Sequence, residues 1–178
     1  LKTPALRKKK LYWRPYKNQS TQFTYTRFLI PRLQNYKGWA MYCDNDFLFL
    51  NDVKELLSLQ NNSKAVVCVK HEYKPKELIN CEHPDVKDVD LSMVNKKSGR
   101  YLHQFDWLDD EDIGSLPHSW NWLVNWYRTD KGDGHPDALH FTEGGPWIAD
   151  SEYKQTWLNY KKLMEEENES KRTTTISR

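Results

Sequence analysis

Asp44 and Asp46 flank Asn45 directly behind the apolar run Trp39-Ala40-Met41-Tyr42. Side chains alternate along an extended strand, so the two carboxylates are expected to point one way and Asn45 the other. Open α/β sheets carry ligand chemistry at the carboxyl ends of their strands, so paired hard oxygen ligands there predict a divalent-cation site. Turns favour Asp and Asn in any case, so this D-x-D by itself more often marks an ordinary strand end. The second half of the signal is Ala138-Leu139-His140-Phe141-Thr142-Glu143-Gly144-Gly145-Pro146-Trp147. Here a short apolar run carries His140 into a loop whose glycines permit close backbone approach to a ligand. Two carboxylates and one imidazole make a mixed oxygen and nitrogen set suited to Mn²⁺, or to Mg²⁺, with coordination positions left for phosphate oxygens.

The elements that must hold these groups read as α/β. Ser20 or Thr21 is predicted to cap a helix running toward Pro31, and Gly38 breaks the chain before the strand that ends in the D-x-D. Asp52 and Glu55 form a capping box for a helix through Leu59, and the β-branched run Ala65 to Val69 follows as a second buried strand. Strand, helix, strand in that order predicts a mostly parallel central sheet. Tyr101-Leu102-His103-Gln104-Phe105 alternates as a short strand would. From Ser151 a final helix is expected to place Tyr153, Trp157, Tyr160 and Met164 on one side. One domain over residues 1–164 and a polar, disordered tail over 165–178 complete the expected organisation.

The chain has 178 residues, enough for one domain with a sizeable core, and no apolar stretch long enough to cross a membrane. Its net charge of +2 gives no general case for nucleic acid, and the run Arg7-Lys8-Lys9-Lys10 reads as a solvated helix end or linker. Three cysteines, Cys43, Cys68 and Cys81, cannot all pair within one chain, so a reducing, cytoplasmic setting is the simpler expectation. Cys68, His71, Cys81 and His83 offer zinc-like ligand types, opposed by the placement of Cys68 within a predicted strand.

The D-x-D, the histidine and glycine loop, the stretch Ser20 to Pro31 and the run Trp107 to Trp122 together resemble family-eight retaining glycosyltransferases. This is the glycogenin and galactosyltransferase type, and the likeness is nearest to a compact bacterial and environmental branch. The resemblance implies a GT-A, Rossmann-like nucleotide-diphospho-sugar transferase fold, incomplete at the amino terminus because no strand-helix-strand unit precedes Leu11. It implies transfer of a sugar, with retention, from a nucleoside-diphosphate sugar, UDP by family likeness, to a glycan, lipid or protein acceptor.

By the same resemblance Asp44, Asp46 and His140 hold the cation, and Asn45, Gly144, Gly145 and Trp147 contribute to the donor pocket. Arg27 matches a helix arginine that contacts the donor, a task suited to a permanently charged planar group. Asp110 and Glu111 match the family's Asp-Gln pair beside the transferred sugar, where carboxylates accept hydroxyl hydrogen bonds. The plainer reading of the acidic run Asp109 to Asp112 is a helix amino terminus favoured by the dipole. Two departures from the family pattern, the missing opening unit and a shortened middle segment near Lys76 to Asn80, keep open a second function class. That alternative is a non-catalytic relative that binds metal and nucleotide weakly or acts through protein contacts.

Overall fold

Val66–Val69 are all buried, and this β-branched, apolar run forms an interior strand of the larger sheet, where both faces are covered. The computed structural model describes residues 3–15, 17, 21, 24–70, 76–146, 148 and 150–176. In chain order its elements are helix α1 (Thr3–Lys8), a 3-10 turn (Thr26–Leu29) running into α2 (Ile30–Leu33), strands β1 (Trp39–Tyr42) and β2 (Phe47–Phe49), and α3 (Val53–Ser58). Strands β3 (Val66–Val69) and β4 (Lys76–Asn80) follow, then the short helices α4 (Pro84–Lys87), α5 (Leu91–Lys96) and α6 (Gly99–His103). Strands β5 (Ile113–Ser115), β6 (Trp122–Leu123) and β7 (Ala138–His140) lead to the last helix, α7 (Lys154–Ile176). The chain divides into two compact units, residues 1–43 with 53–118 and residues 44–52 with 119–178.

In the first unit the sheet order is β1-β4-β3-β5. β4 runs antiparallel to both β1 and β3, while β5 pairs parallel with β3. β1 and β3 therefore share one direction, as the strand-helix-strand order predicts, and β5, not read as a strand from the sequence, runs with them; β4 is a reversed strand inserted among them, so the sheet is mixed rather than mostly parallel. Val66 and Cys68 join Phe28, Leu29, Val94 and Leu102 in one core cluster, and Ile79, Cys81 and Val86 form another with Ala40 and Ala65. The opening segment is pinned to α5. Asn95 Oδ1 accepts the backbone N–H groups of Trp13 and Arg14 at 2.7 and 3.0 Å, and the Arg14 guanidinium lies 3.8 Å from the Tyr25 ring centroid. Asp90 caps α5 by accepting the Met93 N–H at 2.6 Å. Replacing it with alanine leaves that donor unsatisfied, so Asp90→Ala is expected to lower stability by about 1 kcal/mol in urea unfolding.

Three local expectations are corrected. Residues 101–105 do not form a strand: Ser98 caps α6 by accepting the Tyr101 N–H at 3.1 Å, and Arg100 donates to Gln104 at 2.7 Å across one helical turn. These local bonds outweigh the period-two pattern. The helix predicted from Ser20 or Thr21 begins only at Thr26, with Pro31 in the first turn of α2, and Ser20 lies outside the described residues. α7 continues to Ile176, where a disordered tail was expected from residue 165. Ion pairs one turn apart, Lys161–Glu165, Lys162–Glu166 and Glu167–Lys171, support it beyond residue 160, where residues 161–169 are exposed. Tyr153 and Trp157 pack on the core of the second unit, whereas Tyr160 and Met164 are exposed.

The second unit holds a three-stranded sheet of order β2-β7-β6. Its core is Trp122, Val124, Leu139 and Phe141, with Leu48 and Leu50 packed against them. No helix among the described residues is long and apolar enough to cross a membrane.

Candidate metal centre

β1 ends at Tyr42, and the chain passes through Cys43 and Asp44 into a turn at Asn45 and Asp46 before β2 begins. The two carboxylates therefore stand in a connection between strands, so strand alternation does not orient them. What brings them to His140 is the antiparallel pairing of β2 with β7, which sets Phe47 opposite His140 and Phe49 opposite Ala138. Backbone bonds extend this ladder at both ends, from the Phe141 N–H to the Asp46 carbonyl at 3.0 Å and from the Leu50 N–H to the Asp137 carbonyl at 2.8 Å. Asp46 is thereby fixed beside His140.

One ligand atom from each of Asp44, Asp46 and His140 lies within 4.8 Å of the other two. His140 Nε2 is 3.6 Å from Asp46 Oδ2. That is long for a hydrogen bond, and near the separation of about 3–3.5 Å that two ligands keep when both sit about 2.1 Å from one ion. The donor set of two carboxylate oxygens and one imidazole nitrogen suits Mn²⁺ and leaves room for further oxygen ligands. Asp44 and Asp46 are half-buried and Asn45 is exposed.

His140 is only 3% exposed and is held on several sides. Its Nδ1 lies 2.9 Å from Asn121 Oδ1, its carbonyl accepts the Val124 N–H at 3.1 Å, and the Phe47 ring centroid is 4.6 Å from its own. Sequence reasoning did not single out Asn121 or Phe47. The signal for Asn121 was available: one amide between two tryptophans in the apolar run Trp120 to Val124 is a buried polar group that must find a partner. Beyond β7, Gly144 has φ +100°, a conformation that favours glycine, and an added Cβ would stand 3.1 Å from Ile148 Cδ1. The Gly144 N–H donates to the Phe141 carbonyl at 3.2 Å, so it shapes the loop. Gly145 is buried, and Trp147 lies outside the described residues.

The remaining predicted site residues belong to the first unit. Arg27 sits in the 3-10 turn Thr26–Leu29, its guanidinium 4.2 Å from the Tyr42 ring centroid. Asp110 and Glu111 are exposed in a 3-10 turn (Asp110–Asp112). Lys64 Nζ donates to the Glu111 carbonyl at 2.5 Å, and the Ala65 N–H donates to the Asp112 carbonyl at 2.9 Å, so this acidic turn is tied to the entry of β3.

The zinc-like alternative finds no support among the described residues. Cys68 and Cys81 are buried in different core clusters, and His71 lies outside the described residues. Burial, then the neighbouring Glu82 charge, push the Cys81 thiol up, against the smaller opposing effect of a backbone hydrogen bond. A raised thiol pKa disfavours the thiolate that would bind zinc. His83 instead lies between two carboxylates, with Nδ1 3.6 Å from Asp85 and Nε2 3.6 Å from Asp112.

No family model matches the sequence. Among solved structures, the apo form of the glycosyltransferase GlyE from Streptococcus pneumoniae superposes with a TM-score of 0.59 at 16% identity, over 80% of this chain and 43% of that one. The bifunctional glycosyltransferase WbbM, also in its apo form, gives 0.54 at 14% identity, over 79% of this chain and 37% of that one. The chain thus has a glycosyltransferase-type α/β fold of GT-A character, and it spans less than half the length of these two enzymes. Protein CDI of Arabidopsis thaliana is 42% identical over 190 residues, covering 92% of this chain and 73% of that protein. On that identity and coverage, the chain belongs to the family of Protein CDI.

Proposed function

We propose that this protein is a metal-dependent glycosyltransferase that moves a sugar from a nucleoside-diphosphate donor, a UDP-sugar, to a glycan, lipid or protein acceptor with retention of configuration. The observation that carries this reading is the convergence of Asp44, Asp46 and His140 in a chain of glycosyltransferase fold. These three residues would hold Mn²⁺ or Mg²⁺. A divalent cation bound there supplies positive charge against the negative charge that grows on a departing nucleoside diphosphate.

The roles proposed for the chain's other residues are those that the family resemblance implies. Arg27, its guanidinium seated on the Tyr42 ring, donates hydrogen bonds to diphosphate or sugar oxygens. Asp110 accepts hydroxyl hydrogen bonds from the transferred sugar, and Glu111 stands beside the reacting carbon. Asn45, exposed in the D-x-D turn, and Gly144, Gly145 and Trp147 would by the same resemblance contribute to donor binding. By the family resemblance, the acceptor hydroxyl would attack on the donor's own face as the bond to the nucleoside diphosphate breaks, its proton passing to the leaving phosphate, so that configuration is retained.

Calorimetric titration of UDP into the chain with Mn²⁺, repeated with chelator, tests the reading. Binding that appears with Mn²⁺ and disappears with chelator is the expected result. Absence of binding in both conditions overturns it and favours a relative that acts without donor chemistry.

A further inference from the structure

We propose that Asn121 is a positioning residue that fixes the tautomer of His140, holding the ring proton on Nδ1 so that Nε2 offers its lone pair toward Asp44 and Asp46. The proposal rests on the metal reading above and deepens it.

The argument begins with burial. Asn121 is 0% exposed, closing the 3-10 turn His118–Asn121 immediately before β6, with the buried Trp120 and Trp122 on either side. The turn is itself held, because the Asp137 N–H donates to the Ser119 carbonyl at 2.8 Å. Asn121 therefore presents its amide from a rigid base, with Oδ1 2.9 Å from His140 Nδ1. A neutral imidazole carries one N–H, and an amide oxygen only accepts. With the proton on Nδ1 the pair is a hydrogen bond; with the proton on Nε2, two buried acceptors would face each other unsatisfied. The second ring nitrogen then keeps its lone pair, 3.6 Å from Asp46 Oδ2. The Phe47 ring at 4.6 Å and the Val124 bond to the His140 carbonyl restrain the ring and the backbone, but neither selects a tautomer. Only Asn121 does. Metal-bound histidines commonly donate their other ring N–H to such a partner, and losing it typically costs 10–100-fold in metal affinity.

Leucine has the branched heavy-atom skeleton of asparagine, with bulkier methyl ends, and cannot accept, so Asn121→Leu removes the hydrogen bond with a small change of shape. Asn121→Asp keeps an accepting oxygen. Two readouts separate the proposal from the reading beneath it. In the metal-free, ¹⁵N-labelled protein, long-range ¹H–¹⁵N spectra of the His140 ring should show the Nδ1–H tautomer in wild type and in Asn121→Asp, and a mixed population in Asn121→Leu. Mn²⁺ titration followed by electron paramagnetic resonance should show binding about 10–100-fold weaker in Asn121→Leu, with unchanged near-ultraviolet circular dichroism. An Nε2–H tautomer in wild type, as an amide turned the other way would produce, overturns the proposal. So does an unchanged tautomer in Asn121→Leu. If wild type binds no Mn²⁺ but the tautomer shifts in Asn121→Leu as expected, the positioning role stands and the metal reading falls.

Discussion

Asp46→Ala is expected to weaken Mn²⁺-dependent binding of UDP by at least about 100-fold, since the loss of a mere outer partner of a metal ligand already costs 10–100-fold. The substitution is informative because the residue has two separable roles. Its side chain, 28% exposed, faces His140 Nε2, whereas its carbonyl accepts the Phe141 N–H and continues the β2–β7 ladder. Alanine removes the first and retains the second. Removing one of two neighbouring carboxylates also relieves like-charge repulsion, so the metal-free variant should unfold within about 0.5 kcal/mol of wild type. Calorimetry with Mn²⁺ and UDP, paired with urea unfolding in chelator, checks both halves. Equal affinity in the two proteins would remove Asp46 from the ligand set.

The largest stability effect is expected at Trp122. It is 0% exposed, pairs with Leu139 across β6 and β7, and meets Tyr127 edge to face with ring centroids 5.4 Å apart. Trp122→Ala opens a cavity that a small three-stranded sheet has little means of closing, and should cost about 3–5 kcal/mol. The cavity would lie beside Asn121 in sequence and against the strand that carries His140, so metal affinity should fall with stability. Trp126→Ala is the control: that ring is 60% exposed, and its loss should change stability by less than about 0.5 kcal/mol. Urea unfolding of both variants decides the matter, and similar losses at the two positions would contradict the assignment of the core.

The grouping of three candidate ligands was legible in the sequence, and several strands around them were not. Asp44, Asp46 and His140 announced themselves by ligand type, and β3 by an unbroken β-branched run. The shared direction of β1 and β3 followed from strand-helix-strand order, whereas β5 is too short and too lightly patterned to be read as a strand. β4 escaped notice because its register against β1 and β3 is a long-range property, and Pro75 between two lysines looks like a loop. β2 was equally obscure: Phe47-Leu48-Phe49-Leu50 carries no polar alternation to mark a face, yet it is the strand that delivers Asp46 to His140. Asn121 was hidden for the opposite reason. A single amide among tryptophans reads as incidental until its distance to a ring nitrogen is known.

The residues of the D-x-D turn belong to a short excursion, 44–52, that leaves the first unit and completes the second. During synthesis the carboxylates emerge early and their imidazole partner late, with most of the first unit made in between. The β2–β7 pairing is therefore a contact of high sequence separation, the kind whose loop-closure cost slows folding. Until β7 arrives, the segment from Asp44 to Phe49 is an unpaired hydrophobic strand edge carrying two adjacent negative charges. Those charges then act as gatekeepers, discouraging association of the unfinished chain through the same carboxylates proposed to hold the cation once the fold is complete.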